Sequence, residues 1–473
     1  MSRRPTTRWH ETADVVVIGA GIAGLAAAIE AAQAGARVLV VEKMAAPGGN
    51  SVLSDGSVAA AASAHQARHG IVDSPDLMYR DMLAAGQSLN HPELARRVAE
   101  ESSAAVQWTI DELGVVYQER VLQFGGHSVP RTLATPKLSG AAIFRPQLSR
   151  AEELGVEVST RTVLERLVTD SSGSVEGVVV REGYRHLDRL SGTPRAIRAR
   201  RGVVLASGGF GSDVAFRSVQ DPRLTAEVDT TNSPGATAEA LKEALRVGGC
   251  PVHLSHIQLG PWASPDEPGN GTGPVFATYV AFPYGILVDP ATGERFVNEM
   301  ADRKTRADAI LRVGHPCVGI ADAEGVTRSG QRINACLRRG VVKAFDSIEE
   351  LAQSHAIPAA HLNDTIRRFN SSVMQRRDEL LGKPILPDAA PLQHPPFYAM
   401  RHWPKVHYTM GGVRIDASTQ VIGLDGRPID SLFAAGEVTG GVHGACRLGS
   451  VSITECLVLG RIAGRSAAGR RRV

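Results

Sequence analysis

Apolar residues first gather in a short β-branched run, Asp14 to Ile18 (DVVVI), and pass through glycines into an alanine-rich stretch. They return as a second run from Arg37 to Val41. The order reads strand, turn, helix, strand. Gly19, Gly21 and Gly24 stand in GxGxxG order at the turn with Ala23 among them, Gly35 stops the helix, and Glu42 ends the second strand 18 residues after Gly24. Gly19 permits the tight turn, Gly21 lets the backbone approach a pyrophosphate and Gly24 allows close helix packing. The helix N-terminus adds free N–H groups and its dipole, and the acid is placed for a ribose. This unit predicts a bound dinucleotide.

Two later runs repeat the strand pattern. Arg201 to Phe210 (RGVVLASGGF) ends in a small-residue turn containing Ala206 and Gly208, and Leu432 to Glu437 (LFAAGE) ends in Gly436 and Glu437. Both predict parallel strands with their carboxyl ends at the same ligand. Residues 75–113 are patterned as helix, and residues 156–180 as short strands with a turn at 171–173, an antiparallel addition to the sheet. After Gly248-Gly249 the pattern changes. Residues 255–273 are rich in proline, glycine and polar residues, and helical spacing returns at 349–374. The prediction is an α/β fold: a discontinuous Rossmann-type domain, 1–254 and 408–473, with an inserted α+β capping domain over 255–407 and a small-molecule substrate between them. Lys43 to Ser51, which includes Gly48, Gly49 and Asn50, forms a second glycine-rich loop where a long dinucleotide would continue. Together with the C-terminal strand, it favours FAD over NAD.

Composition narrows the picture further. A chain of 473 residues with 43% apolar and 21% charged residues is an ordinary globular enzyme, too long for one core. A net charge of +3 gives no reason to invoke nucleic acid, and Arg470, Arg471 and Arg472 read as a solvated tail. The five cysteines (250, 317, 336, 446 and 456) form no CxxC or CxxCH, so no haem or iron–sulfur domain and no metal site is expected in this chain. Arg3 and Arg4 are followed by polar residues rather than by an apolar leader, and the run from Val15 to Val41 is broken by Glu30, Gln33 and Arg37. No membrane span and a cytoplasmic location are therefore expected.

Four segments carry a family resemblance: Gly48-Gly49-Asn50-Ser51, GERFVNE (293–299), HYTMGG (407–412) and AAGEVTGGVHGACRL (434–448). Together they resemble the fumarate reductase and succinate dehydrogenase flavoproteins over nearly the whole chain, most closely the soluble flavocytochrome c type of fumarate reductase and urocanate reductase. The resemblance implies hydride transfer between flavin N5 and one carbon of a carbon–carbon bond activated by a carboxylate, with a proton moved at its neighbour. It further implies Arg303 as proton donor, His407 and Arg447 as a carboxylate clamp, and Ser452 and Ile453 beside the flavin. Guanidinium and imidazole suit a carboxylate because charge-assisted bonds hold it and stabilise charge that develops on it. An arginine acid needs nearby cations to loosen its proton, and Lys304 and Arg306 are adjacent.

Departures from the family pattern bear on substrate. Gly260 stands where the dicarboxylate enzymes carry a histidine before proline. FATYVAFPY (276–284), read as a packed aromatic loop, replaces their glutamate and arginine relay, leaving Thr278 and Ala281 in the altered stretch. The distal end of the substrate is therefore expected to be apolar, lined by some of Trp262, Phe276, Tyr279, Phe282 and Tyr284, and fumarate is not the expected substrate. Cys446 replaces the usual asparagine, and Ser450-Val451 replace Gly-Asn. Residues 51–60 hold no histidine, so the FAD is expected to be noncovalent. The leading expectation is a reductase or desaturase of a bond conjugated to a monocarboxylate, working with an external electron donor or acceptor. The alternatives are a desaturase of cyclic ketones that uses Tyr279 or Tyr284, and an electron-transfer subunit without chemistry.

Overall fold

The structure is a computed structural model describing residues 7–188 and 190–470; Arg3, Arg4, Arg471 and Arg472 lie outside it. Its largest sheet runs in parallel order Pro428–Ala434, Thr193–Leu205, Glu11–Ile18, Val38–Val41, Glu157–Ser159, with Gln420–Ile422 antiparallel at one edge. Val15 to Val17 and Val203 to Leu205 are fully buried, which is why these strands read as unbroken apolar runs rather than alternating ones. The predicted parallel strands from both ends of the chain thus share one sheet.

The helix Ile22–Gln33 covers this sheet and is itself packed against the C-terminal helix Val451–Gly469. Glycines make that contact close. A Cβ at Gly460 would lie 2.5 Å from the Ala23 carbonyl oxygen, and one at Gly464 would strike the Ala27 backbone.

Two expectations are refined. The 75–113 segment forms two helices, Pro75–Ala85 and Pro92–Asp111, each opened by a proline in its first turn. Within 156–180, Thr162–Thr169 and Val175–Glu182 pair antiparallel as expected, but Glu157–Ser159 extends the parallel sheet beside Val38–Val41. Three residues are too few to display that partnership in sequence.

The inserted segment builds its own antiparallel sheet in the order Ile286–Val288, Cys317–Asp322, Phe397–His402, Val342–Phe345, backed by the helix Ala359–Gln375. Residues 276–284 are not a loop. Gly273–Phe276, the wider-turned Ala277–Ala281 and Phe282–Tyr284 run together as one helical stretch started by Pro274. Apolar residues surround it because it is buried on nearly every side. The strand Ile257–Gly260 pairs antiparallel with Lys405–Thr409, bringing the two ends of the insert together with a register slip after Gln258.

Candidate active site

A cleft of about 400 Å³ runs from the first glycine turn to the insert. Gly19, Gly21, Ala23, Glu42, Lys43, Gly48, Gly49, Asn50, Ser51, Ala206, Gly208, Glu437, Ser452 and Ile453 all line it. Gly19 has φ 106°, and a Cβ there would meet the Ala206 carbonyl at 2.5 Å, so the turn excludes any side chain. Gly208 also has positive φ, and the space before it is open. Glu42 accepts from the Ala20 and Met44 amides at 3.1 and 2.9 Å, and the Ser51 hydroxyl accepts from Ile22 N–H at 3.0 Å. The elongated cleft, a helix N-terminus at Gly21-Ile22 that faces it and a buried carboxylate at the next strand end fit a dinucleotide.

Gly24 and Gly436 do not line the cleft. Gly24 lets its helix touch the Gly19 backbone, and Gly436, at φ 74°, turns the chain against Ala23 and Cys456. Both shape the walls from behind. Glu437 follows that turn and accepts from Thr409 N–H at 2.9 Å, and burial pushes its carboxyl up to about 7.

Three cationic or imidazole groups converge farther along. Arg447 is buried. It donates to the Leu448 carbonyl at 2.9 Å and to His407 Nε2 at 3.2 Å, its guanidinium lies 4.3 Å over the Tyr408 ring, and its Nε has no partner among the described residues. His407 Nδ1 pairs with the Thr231 hydroxyl at 2.8 Å. Burial, then Arg303 and Arg447, hold the imidazole well below its ordinary range, so it is neutral and accepts from Arg447. Arg303 opens the helix Arg303–Val313, capped by the Asp302 side chain. Burial, then Arg447 and Arg306, push its guanidinium well below its ordinary range.

Trp262 joins these groups. Its ring lies 4.4 Å beneath the Arg303 guanidinium and meets the His407 ring edge-on at 4.7 Å. A Cβ at Gly260 would stand 3.1 Å from the indole and 3.5 Å from the His407 Cβ, so the indole occupies the space into which a side chain at 260 would project.

Gln258 was missed by sequence reading. Buried on the short strand, it donates to Cys446 Sγ at 3.1 Å and to the Arg447 carbonyl at 2.9 Å, and accepts from Arg303 at 3.3 Å. It therefore ties both arginines together. No local signal marks a glutamine for this task; the two-stranded pairing creates it. Of the aromatic candidates, Trp262 and Tyr279 line the cleft, while the others correct the expectation. Phe276 is fully buried in the core of the insert, and Phe282 faces a satellite cavity and lies 4.6 Å beneath Arg306. Tyr284 points the other way, its hydroxyl held by Arg120 and Asp388. Helical winding, with a wide turn at Ala277–Ala281, sends these rings in different directions.

Among the described residues there is no group of three or more histidine, cysteine or acidic side chains that could hold a metal, and no helix long and apolar enough to cross a membrane.

Residues 14–453 match the family model described as FAD binding domain. The chain is 45% identical over 466 residues to the acrylate reductase flavoprotein subunit of Shewanella woodyi, covering 97% of this chain and 92% of that protein. Among solved structures, an open conformation of a flavocytochrome c3 fumarate reductase superposes with a TM-score of 0.76 at 31% identity, covering 97% of this chain and 78% of that one. The 3-ketosteroid-Δ4-(5α)-dehydrogenase of Rhodococcus jostii RHA1 superposes with a TM-score of 0.77 at 27% identity, covering 99% of each chain. With the glycine cradle, the converging arginines and these likenesses together, the chain belongs to the fumarate reductase/succinate dehydrogenase flavoprotein family and is an FAD-dependent oxidoreductase.

Proposed function

We propose that this enzyme reduces the double bond of a short 2-enoate, a small α,β-unsaturated monocarboxylate of the acrylate type. The observation that carries the reading is the Gly260–Trp262 arrangement: the position of a second carboxylate ligand has no side chain, and an indole fills its place. Arg447 and His407 remain for one carboxylate, which is what a monocarboxylate offers. The acrylate reductase activity of the 45% identical Shewanella woodyi relative supports the same substrate class.

When bound, FAD supplies the hydride for the β-carbon. The residues that would hold it noncovalently are the glycines at 19, 21, 48, 49 and 208, with Glu42, Asn50, Ser51, Glu437, Ser452 and Ile453. Arg447, already desolvated and with a spare Nε–H, grips the substrate carboxylate, and His407 adds a second donor once the nearby anion raises its basicity. These donors stabilise the negative charge that spreads onto the carboxylate as hydride arrives. Arg303, pressed by burial and by Arg447, gives its proton to the α-carbon. Trp262 closes the site against water and keeps the guanidinium in place.

The test is anaerobic reduction of the purified protein with dithionite, followed by single additions of acrylate, methacrylate, crotonate and fumarate. Acrylate is expected to restore the oxidised flavin spectrum fastest, with fumarate slower by about tenfold or more, the discrimination expected of a site that leaves one charge unpaired. Fumarate reacting as fast as acrylate overturns the reading. A second reading, desaturation of a cyclic ketone, is favoured by the Tyr279 hydroxyl in the cleft and by the ketosteroid dehydrogenase likeness. It requires that uncharged ketones are turned over after Arg447→Ala.

A further inference from the structure

An arginine that gives up its proton must regain one in every turnover, and the relay pattern of the dicarboxylate enzymes is missing from residues 276–284. The cleft holds a different set of groups in its place. Tyr279 donates its hydroxyl proton to Asp55 Oδ2 at 2.8 Å and shares a second hydrogen bond with the Ser57 hydroxyl at 3.1 Å. Asp55 is fixed in turn, its Oδ1 accepting from Ser57 N–H at 3.0 Å. The Tyr279 ring packs edge-on against Phe124 at 5.6 Å. Tyr279, Ser57, Asp55 and Arg303 all line the cleft; Tyr279 and Ser57 are buried, whereas Asp55 is only half-buried and reaches solvent. Burial, then Asp55, raises the Tyr279 hydroxyl well above its ordinary range, which keeps it neutral at rest, and Arg303 lines the same cleft.

Other neighbours of Arg303 are poorer sources. Gln258 does not titrate, and Arg306 is itself cationic over Phe282. Asp302 is engaged in capping Thr305.

Resting on the reading of Arg303 as the acid, we infer that Asp55 and Tyr279 form a two-residue proton relay that recharges Arg303 from solvent. The step balances without redox change. Arg303 loses an N–H proton to the substrate α-carbon, whose electron pair forms the new C–H bond. The Tyr279 O–H then breaks and its proton, carried by water across the cleft that both side chains line, forms an N–H on the neutral guanidine. Asp55 takes a proton from a buffer acid in solvent and passes it to the Tyr279 oxygen, returning to the form that accepts the Tyr279 hydrogen bond. Asp55 follows the short helix Gly49–Leu53, whereas Tyr279 belongs to the insert, so the relay exists only when the insert rests on the N-terminal loop.

The experiment compares one turnover with many in Tyr279→Phe, Asp55→Asn and Asp55→Glu, each checked for FAD content. In one turnover, dithionite-reduced enzyme meets a single addition of acrylate. Arg303 already carries its proton, so both loss variants are expected to stay within about threefold of wild type. In continuous turnover with reduced methyl viologen, they should fall by about tenfold or more, with a larger solvent deuterium effect, and Asp55→Glu should recover most of the rate. Arg303→Gln should lose both phases. Continuous turnover by Tyr279→Phe within about twofold of wild type overturns the relay. Equal loss in both phases also overturns it, because Tyr279 would then act directly or only position the substrate. If Arg303→Gln keeps full activity, or no enoate reoxidises the wild type, the underlying reading of the site fails and the relay with it.

Discussion

At the scale of single residues, the site is a problem of unpaired positive charge. Arg303 and Arg447 stand beside the neutral His407, and among the described residues no acidic side chain is hydrogen-bonded to any of the three. Such a cluster is costly until an anion enters, and under the proposed function the substrate carboxylate is that anion. Arg447→Ala is accordingly expected to lower kcat/KM for acrylate by about 10²–10³-fold while FAD content is unchanged, measured by steady-state kinetics and the flavin spectrum. Glu437 offers a pH signature. Its folded value, about 7, lies above the ordinary 4.5 of a glutamate, so the folded state holds the proton more tightly. Its contribution to stability is complete below pH 4.5 and is lost as pH rises through 7, about 3 kcal/mol in all. Melting of the apoprotein should therefore fall from pH 5 to 7.5 more steeply in wild type than in Glu437→Gln, and parallel profiles would remove this assignment. Ser450 repays notice too. Its φ of 62° lies in the left-handed region, a conformation that suits glycine better than serine.

At the scale of elements, the first and last long helices do more than pack. Their contact places the Ser452 and Ile453 end of the C-terminal helix beside the N-terminal glycine turn. Gly460 and Gly464 make that approach possible. Gly464→Val is expected to cost about 1–3 kcal/mol in denaturant unfolding, because backbone rather than a movable side chain stands in the way. It should weaken FAD retention together with stability, and a variant of unchanged midpoint and flavin content would show that the helices tolerate separation. The pair Ile257–Gly260 and Lys405–Thr409 has a comparable role at the substrate end. One strand carries Gln258 and Gly260, the other His407, and their register sets the arginine bridge and the Trp262 position together.

At the scale of the whole molecule, FAD would join parts of the chain that are separated by hundreds of residues, so it acts as a ligand of the folded state alone. Free FAD at about 100 times its Kd should stabilise the protein by about 2.7 kcal/mol, read as a rise in Tm over the apoprotein. With no histidine in residues 51–60, acid precipitation should leave all flavin in the supernatant. Flavin remaining on the precipitated chain would contradict noncovalent binding.

The sequence by itself determined the cofactor and most of the sheet. The DVVVI run, the GxGxxG turn and Glu42 are local, because a strand, a tight turn and a helix start each impose their requirements within a few residues. The family motifs likewise named Arg303, His407 and Arg447, which the fold brings into one cleft. Only the tertiary structure decided which aromatic residues face that cleft, since the direction of a ring from 276 to 284 depends on helical winding that an apolar run does not reveal. It also decided the work of Gln258, Gly260 and Asp55. Each of these depends on a partner more than a hundred residues away, Arg447, His407 and Tyr279 in turn, and no local pattern encodes such a distance.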